Sequence, residues 1–315
     1  MLAPNVNTKN FYQRTLASEI DCVGIGIHSG AKVSMTLKPA EIDTGIVFIR
    51  TDLEGDNAIK THWENVTDTR LCTLISNQSG AFVGTIEHLV AAFRGCDIHN
   101  VIVEIDGPEV PVMDGSSAPF VFLIECAGMK KQDALLKFIK IKQKVSVTDG
   151  LKFASLSPGQ YTSYEFAIDF DASVIGHQEC FVNLHEGAFK NDIAMSRTFG
   201  FVSEFDTLRN MGLARGASLD NAIAISDNQV LNAGGLRSSD EFVKHKLLDS
   251  IGDTYLTGHP IIGHFKGIRS GHALNHKLLC ELFAQADAWE YVTFPELAAS
   301  MDQESKEVLK QVAMA

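Results

Sequence analysis

No run of this sequence approaches the roughly 20 consecutive apolar residues that a membrane-crossing helix needs, so no such helix is expected. The stretch Met1 to Gln13 lacks the apolar centre of an export signal, and the expectation is a cytoplasmic protein. Paired cysteine motifs are missing as well. Cys22, Cys72, Cys96, Cys126, Cys180 and Cys280 form no CxxC, no zinc-ribbon spacing and no disulfide framework. They are expected to be reduced, several of them as small core residues. Without secretion, the glycosylation-like triplets at Asn65 and Asn77 carry no meaning. Positive charge is in deficit: 27 Lys and Arg face 39 Asp and Glu, a net charge of −12. That balance lacks the basic footprint of a nucleic-acid binder. A small anionic substrate would instead need a local Lys or Arg cluster working against the overall field. There is no GxxxxGK[ST] loop. The glycines of Gly24 to Gly30 follow GxGxxxG and lead into the strand-like Ala31 to Leu37, not a helix, so neither nucleotide-loop chemistry is expected.

What is present is the composition of an ordinary soluble globular protein, 21% charged and 45% hydrophobic over 315 residues. That length suits one large domain or two medium ones. From about residue 14 to 126, strand patterns at Lys32 to Leu37, Gly45 to Arg50 and Asn100 to Ile105 accompany a helix over Glu87 to Phe93. For that helix, Thr85 is the expected N-cap, with Gly95 just past the end. Pro119 to Cys126 is a buried helix or strand; the pattern does not decide. The polar, lysine-containing Ala127 to Ala134 reads as a domain junction. Beyond it, Phe138 to Val147 puts Ile139, Ile141, Val145 and Val147 on one strand face, and Tyr164 to Phe170, Ala222 to Ser226 and Pro260 to Phe265 read as strands. Glu241 to Leu256 is the strongest helix, with Val243, Leu247, Ile251 and Tyr255 four apart and Gly258 closing it; a last core helix spans Ala273 to Ala286. A faint echo links the halves, since His88 and His245 each meet a glycine seven residues later, at Gly95 and Gly252. It suggests two similar α+β halves with a site between them.

On the strongest helix, His245, Asp249 and Asp253 form an i, i+4, i+8 stripe opposite the apolar one. Such a stripe is ordinarily a solvated face. The sharper reading follows from geometry: an i, i+4 His and Asp stand about 5–6 Å apart and can reach one metal ion. Three protein ligands leave a position for water, the catalytic form of a zinc site, and the best source of the third is Glu87-His88. There Glu87 would be a base beside a ligand His, as in HExxH proteins. His272, after a Ser-Gly turn, could be a proton donor held by a carboxylate, with Asp253 as the candidate. Thr198, in Ser196 to Phe201, could donate to a developing oxyanion, and a neighbouring Phe could stack on a base or sugar.

Six segments in order are similar to a known family: Val23 to Gly30 (VGIGIHSG), Thr85 to Leu89 (TIEHL), Met113 to Ser117 (MDGSS), Ser196 to Phe201 (SRTFGF), Phe242 to Asp249 (FVKHKLLD) and Ser270 to Asn275 (SGHALN). The chain resembles the UDP-3-O-acyl-N-acetylglucosamine deacetylases, zinc enzymes of lipid A synthesis in Gram-negative bacteria, over almost its whole length. The resemblance implies an α+β fold of two similar domains, residues 1–127 and 128–315. Each is a small β-sheet layered with helices, the helices packed inward and the active site at the junction. It implies one catalytic Zn2+ held by His88, His245 and Asp249, with Glu87 as general base. His272 is implied as the charged partner or acid, Asp253 as its orienting group and Thr198 as the oxyanion donor. Lys246 is implied to contact substrate, Phe199 to mark the nucleotide end, and Lys152 and Arg269 to lie near the diphosphate. Arg269 stands where that family carries a lysine, which keeps the charge and changes the donor geometry. A hydrophobic passage for the acyl chain is implied, with Val202, Phe205, Leu208, Met211, Leu213 and Leu219 as its lining. The implied partner is an acylated UDP-amino sugar, with no nucleic acid. The protein is expected to be a monomer, touching the inner membrane surface only transiently.

The implied reaction is hydrolysis of an acetamide. The leaving amine takes its proton from His272 or from Glu87, and the sequence leaves that choice open. Three rival readings are a zinc amidase acting on another acylated substrate, a non-catalytic binder of nucleotide sugars or acyl chains, and a plain α+β protein whose polar stripe is only solvated; the second requires a missing catalytic residue, and none is missing.

Overall fold

A computed structural model describes residues 11–294. Most of the stretch read for an export signal, residues 1–10, and the end of the expected second domain, residues 295–315, lie outside the described residues.

Two sheets dominate a mixed α+β architecture. The first has five strands in the order Ile20–Ile25, Lys32–Pro39, Val101–Ile105, Ile46–Arg50, Ala58–Lys60. Only the contact between Val101–Ile105 and Ile46–Arg50 is parallel. Alternation drives it: Val33, Met35 and Leu37 bury one face of their strand, and Val101, Val103 and Ile105 do the same across the ladder. The second sheet has seven strands: Val145–Asp149, Lys152–Ser157, Ile261–Ile268, Lys137–Ile141 and Trp289–Thr293 form a path, and Thr162–Asp169 joins Ile261–Ile268 in parallel while carrying His177–Asn183. A ribbon of Tyr12–Leu16 and Met129–Leu135 joins the start of the chain to the segment that follows the first sheet.

Five α-helices accompany the sheets among the described residues. Helix α1 is Glu87–Gly95, α2 Ala118–Ala127, α3 Phe205–Asn210, α4 Glu241–Tyr255 and α5 His272–Ala284. Helix α1 packs on α4 and α2; α4 packs on α5 and on the strands Thr162–Asp169 and His177–Asn183; α2 reaches Ile20–Ile25. One continuous apolar core runs through all of it.

Several expectations need correction. Phe138 to Val147 is not one strand: it breaks at Lys142 to Lys144 into Lys137–Ile141 and Val145–Asp149, which occupy separate places in the sheet. Thr85 does not cap α1. It takes a left-handed φ of 55° and donates its hydroxyl to Glu109 Oε1 at 2.8 Å, and Ile86 precedes the helix without a side-chain cap. Gly95 is the last residue of α1, whereas Gly252 lies inside α4, so the glycine echo does not mark equivalent ends. The ambiguous Pro119 to Cys126 is helical, within α2. The stripe on α4 is not solvated: His245, Asp249 and Asp253 are 1%, 3% and 2% exposed.

Candidate metal centre

The site forms where α1 meets α4. A Cβ built on Gly252 would stand 2.2 Å from the Glu87 carbonyl oxygen, so only glycine lets the two backbones approach this closely. That contact carries the first turn of α1, with Glu87 and His88, onto the middle of α4, with His245 and Asp249. His88 Nε2 lies 3.5 Å from Asp249 Oδ1, and His245 Nε2 lies 3.4 Å from the same oxygen. The two imidazoles meet edge to face, centroids 4.9 Å apart. One ligand atom from each of the three residues falls within 4.8 Å of the others.

The chemistry of these atoms suits a cation. Asp249 Oδ1 is buried with no hydrogen-bond partner, and a buried carboxylate oxygen left that way is costly. Its other oxygen accepts from Lys246 Nζ at 2.8 Å. Burial lowers the His245 pKa to about 3 against the pull of Asp249, which keeps the imidazole neutral, as a metal ligand must be. Burial works against ionisation of Asp249, but His245 and Lys246 outweigh it and hold the carboxyl well below the usual carboxylate range. The His245 Nδ1 faces the Ser196 carbonyl oxygen at 3.0 Å, so it carries the proton and leaves Nε2 unprotonated, its lone pair available to a cation.

Beside this cluster lies a second one. His272, first residue of α5, has Nδ1 at 2.9 Å from Asp253 Oδ2 and Nε2 at 3.9 Å from Glu87 Oε1. Burial opposes charge on His272, but Asp253 and Glu87 prevail and raise its pKa to about 9. Burial raises the Glu87 carboxyl as well, against His272 and His88. A carboxyl raised by burial and an imidazole raised by its carboxylate neighbours thus stand next to three metal-type ligands, all buried.

Of these groups, Glu87, His88, His245, Asp249 and His272 line a cavity of about 440 Å³, a size suited to a small-molecule ligand. Thr198 and Lys246 line it. Phe199 lines it too, edge-on to His245 with a 6.3 Å centroid separation and beneath Lys246 Nζ at 5.7 Å. The remaining wall is mostly apolar, with His28, Thr85, Glu204 and Ser218 as its polar members. Of the expected passage residues, Val202, Phe205, Leu208 and Leu219 belong to it, and Met211 and Leu213 do not. Small residues, Ala217, Ala222 and Ala224, leave the space open. Lys152 and Arg269 do not line the cavity. They flank the paired Phe153 and Ile268 at one end of the seven-stranded sheet, and Arg269 is ion-paired with Asp169.

Three further residues take part to which the sequence reading assigns no role. Thr73 donates its amide to Glu87 Oε2 at 2.9 Å and its hydroxyl to Asp253 Oδ1 at 2.7 Å. Asn275 donates to Asp253 Oδ2 at 2.9 Å. Glu109, buried, accepts from the amides of His28 and Ser29 and from the hydroxyls of Ser29 and Thr85, and so fixes the His28 loop over the cavity. Asn275 and His28 lie inside segments already singled out; Thr73 and Glu109 lie in none.

A family model described as UDP-3-O-acyl N-acetylglycosamine deacetylase matches residues 13–284. The chain is 50% identical to a protein named UDP-3-O-acyl-N-acetylglucosamine deacetylase in Acidithiobacillus ferrooxidans, over 289 residues that cover 91% of this chain and 95% of that one. It is 47% identical to the protein of the same name in Pasteurella multocida, again over 91% and 95%. It is also 47% identical to the one in Haemophilus influenzae, over 90% of this chain and 94% of that one.

Proposed function

Because the chain belongs to the UDP-3-O-acyl-N-acetylglucosamine deacetylase family, we propose that His88, His245 and Asp249 hold one Zn2+ ion and that the buried groups around them carry out its deacetylation. The protein is an amide hydrolase of lipid A biosynthesis: it removes the acetyl group of UDP-3-O-acyl-N-acetylglucosamine as acetate and leaves the free amine. The observation that carries the residue assignment is the orphaned Asp249 Oδ1, buried and facing two imidazole nitrogens.

A bound divalent cation supplies Lewis acidity, acidifying water and polarising the acetamide carbonyl. Glu87, raised by burial, is a stronger base than an exposed carboxylate, and it takes the proton of the attacking water. Thr198, lining the cavity, donates to the oxygen on which charge develops. His272 is protonated at neutral pH and supplies positive charge opposite Glu87. The departing amine receives a proton from Glu87 or from His272. Lys246 contacts the substrate, Phe199 marks its nucleotide end, and the mostly apolar wall takes the acyl chain. Lys152 and Arg269, adjacent at the sheet end that leads to His272, meet the diphosphate.

We also propose a division into domains of residues 1–127 and 128–315; α2 ends at Ala127 and Gly128 turns the chain with a φ of 71°. The enzyme acts as a cytoplasmic monomer that touches the inner membrane surface transiently through its lipid-bearing substrate. Among the described residues no helix is long and apolar enough to cross a membrane.

Metal analysis paired with an acetate-release assay tests the assignment. The native protein should hold one zinc and release acetate, and His245→Ala should lose both. A His245→Ala protein that keeps its metal and its turnover would remove this residue from the site.

A further inference from the structure

We infer that Glu241 and Arg197 are a positioning pair that sets the tautomer and direction of His245. The inference rests on the metal reading given above. It starts from a difference between the two imidazoles. His88 Nδ1 is buried without a hydrogen-bond partner, whereas His245 Nδ1 donates to the Ser196 carbonyl oxygen at 3.0 Å. A carbonyl only accepts, so the place of Ser196 O decides which nitrogen of His245 is free and where it points.

The residue after Ser196 holds that carbonyl in place. Arg197 donates its own amide to Glu241 Oε1 at 3.1 Å, its Nε to the same oxygen at 2.8 Å, and its Nη2 to Oε2 at 3.1 Å. Nη2 also reaches Gly235 O at 2.8 Å, and the Arg237 amide donates to Glu241 Oε2 at 2.6 Å. Four donors converge on a carboxylate that is 0% exposed. Glu241 opens α4, and His245 follows one turn later on the same helix. The loop that orients the ligand is therefore fixed relative to the helix that carries it. The order extends one residue further: the Thr198 amide donates to Gly115 O at 2.8 Å and its carbonyl accepts from Ile223 at 2.8 Å, which sets Thr198 at the cavity wall. A buried ion pair contributes little net stability compared with an apolar pair of equal size. Stability alone does not account for this convergence; direction does, because a planar guanidinium fork fixes an angle that a lysine or an apolar side chain does not.

The test uses the full-length protein, stripped of metal and titrated with Co2+ as the probe. Glu241→Gln and Arg197→Lys should each bind Co2+ about 10–100-fold more weakly than the native protein, the usual effect of losing a partner behind a metal ligand. Each should also shift the visible absorption bands of the bound ion. Arg50→Lys, which disturbs a buried arginine of the five-stranded sheet paired with the exposed Asp52, serves as the control for general destabilisation and should leave Co2+ affinity and bands unchanged. Where Glu241→Gln does not fold, Arg197→Lys decides, since it keeps the charge. A folded Arg197→Lys protein with native Co2+ affinity and an unshifted spectrum overturns the inference. Failure of the native protein itself to bind Co2+ overturns the metal reading beneath it.

Discussion

The hydroxyl of Thr73 stands 2.7 Å from Asp253 Oδ1, joining residues 180 positions apart in the chain. Through its amide the same residue holds Glu87 Oε2, so one threonine touches both carboxylates that face His272. Thr73→Val keeps the amide and the branched shape and loses only the hydroxyl. A hydrogen bond to a charged group contributes about 1.5–3 kcal/mol. The expected result is a kcat lowered roughly tenfold or more, with metal content and KM unchanged. Steady-state kinetics on a metal-loaded sample check this, and an unchanged kcat would detach Thr73 from catalysis.

Protonation of His272 predicts a specific alkaline limb. Its pKa, about 9, is raised above the ordinary 6.5, so the charged form holds below pH 9 and is lost as pH rises through that value. The charge also stabilises the fold, fully below pH 6.5 and progressively less up to about 9. Asp253→Asn removes the chief group opposing burial, and the alkaline limb of kcat/KM should move to lower pH. On the acid side, activity falls as Glu87 is protonated, at a pH above the ordinary carboxylate range. Profiles of the two proteins from pH 5 to 10 provide the measurement; a limb that does not move would remove His272 from the assignment.

Glu87→Ala separates base from ligand. Glu87 is not among the three residues clustered for a metal, so the variant should bind one ion with near-native stoichiometry. Loss of a general base should cost about 10²–10⁴-fold in turnover. Near-normal acetate release from the zinc-loaded variant would refute the role.

The close approach of α1 and α4 leaves no room for a side chain at Gly252. A methyl there meets backbone, not a movable side-chain end, at 2.2 Å from Glu87 O. Gly252→Ala should destabilise the protein by roughly 3 kcal/mol and weaken metal binding at the same time, since the clash displaces His88 from Asp249. Urea unfolding with and without metal reads both quantities. Equal midpoints for the variant and the native protein would contradict this packing.

How much of this was legible in the sequence depended on the scale of the signal. Apolar residues four apart marked α4 through Val243, Leu247, Ile251 and Tyr255, because a helix repeats its face at that spacing. The same spacing could not show that the opposite stripe is buried, since burial of His245 and Asp249 comes from α1, a partner distant in the chain. His88, His245, Asp249, Glu87 and His272 sit inside quotable segments and Asp253 on the polar stripe of α4, and the structure places them close together. Thr73 and Glu109 were invisible: each acts through long-range hydrogen bonds, and a lone threonine or glutamate has no spacing to read. The break at Lys142 to Lys144 was hidden because the alternation of Ile139, Ile141, Val145 and Val147 continues across it, each strand burying its own pair. Thr85 was misread as a cap because its hydroxyl serves Glu109 instead of the first turn of α1.

The apolar wall predicts how the enzyme should respond to acyl length. Ala224 lines the cavity from the short strand Ile223–Ser226, next to the buried Ile223. Ala224→Phe fills space that the small side chain leaves open, while the metal-type ligands on α1 and α4 are untouched. If the ring displaces four methylenes of a bound chain, at about 0.8 kcal/mol each, the loss is about 3 kcal/mol, over a hundredfold in kcat/KM. The loss should fall on substrates with long acyl chains and vanish for a UDP-sugar carrying a short one, whose acetamide is cleaved at the native rate. Kinetics across a series of acyl lengths distinguish the outcomes. A penalty independent of length would place the chain elsewhere and leave this cavity wall without a role in recognising it.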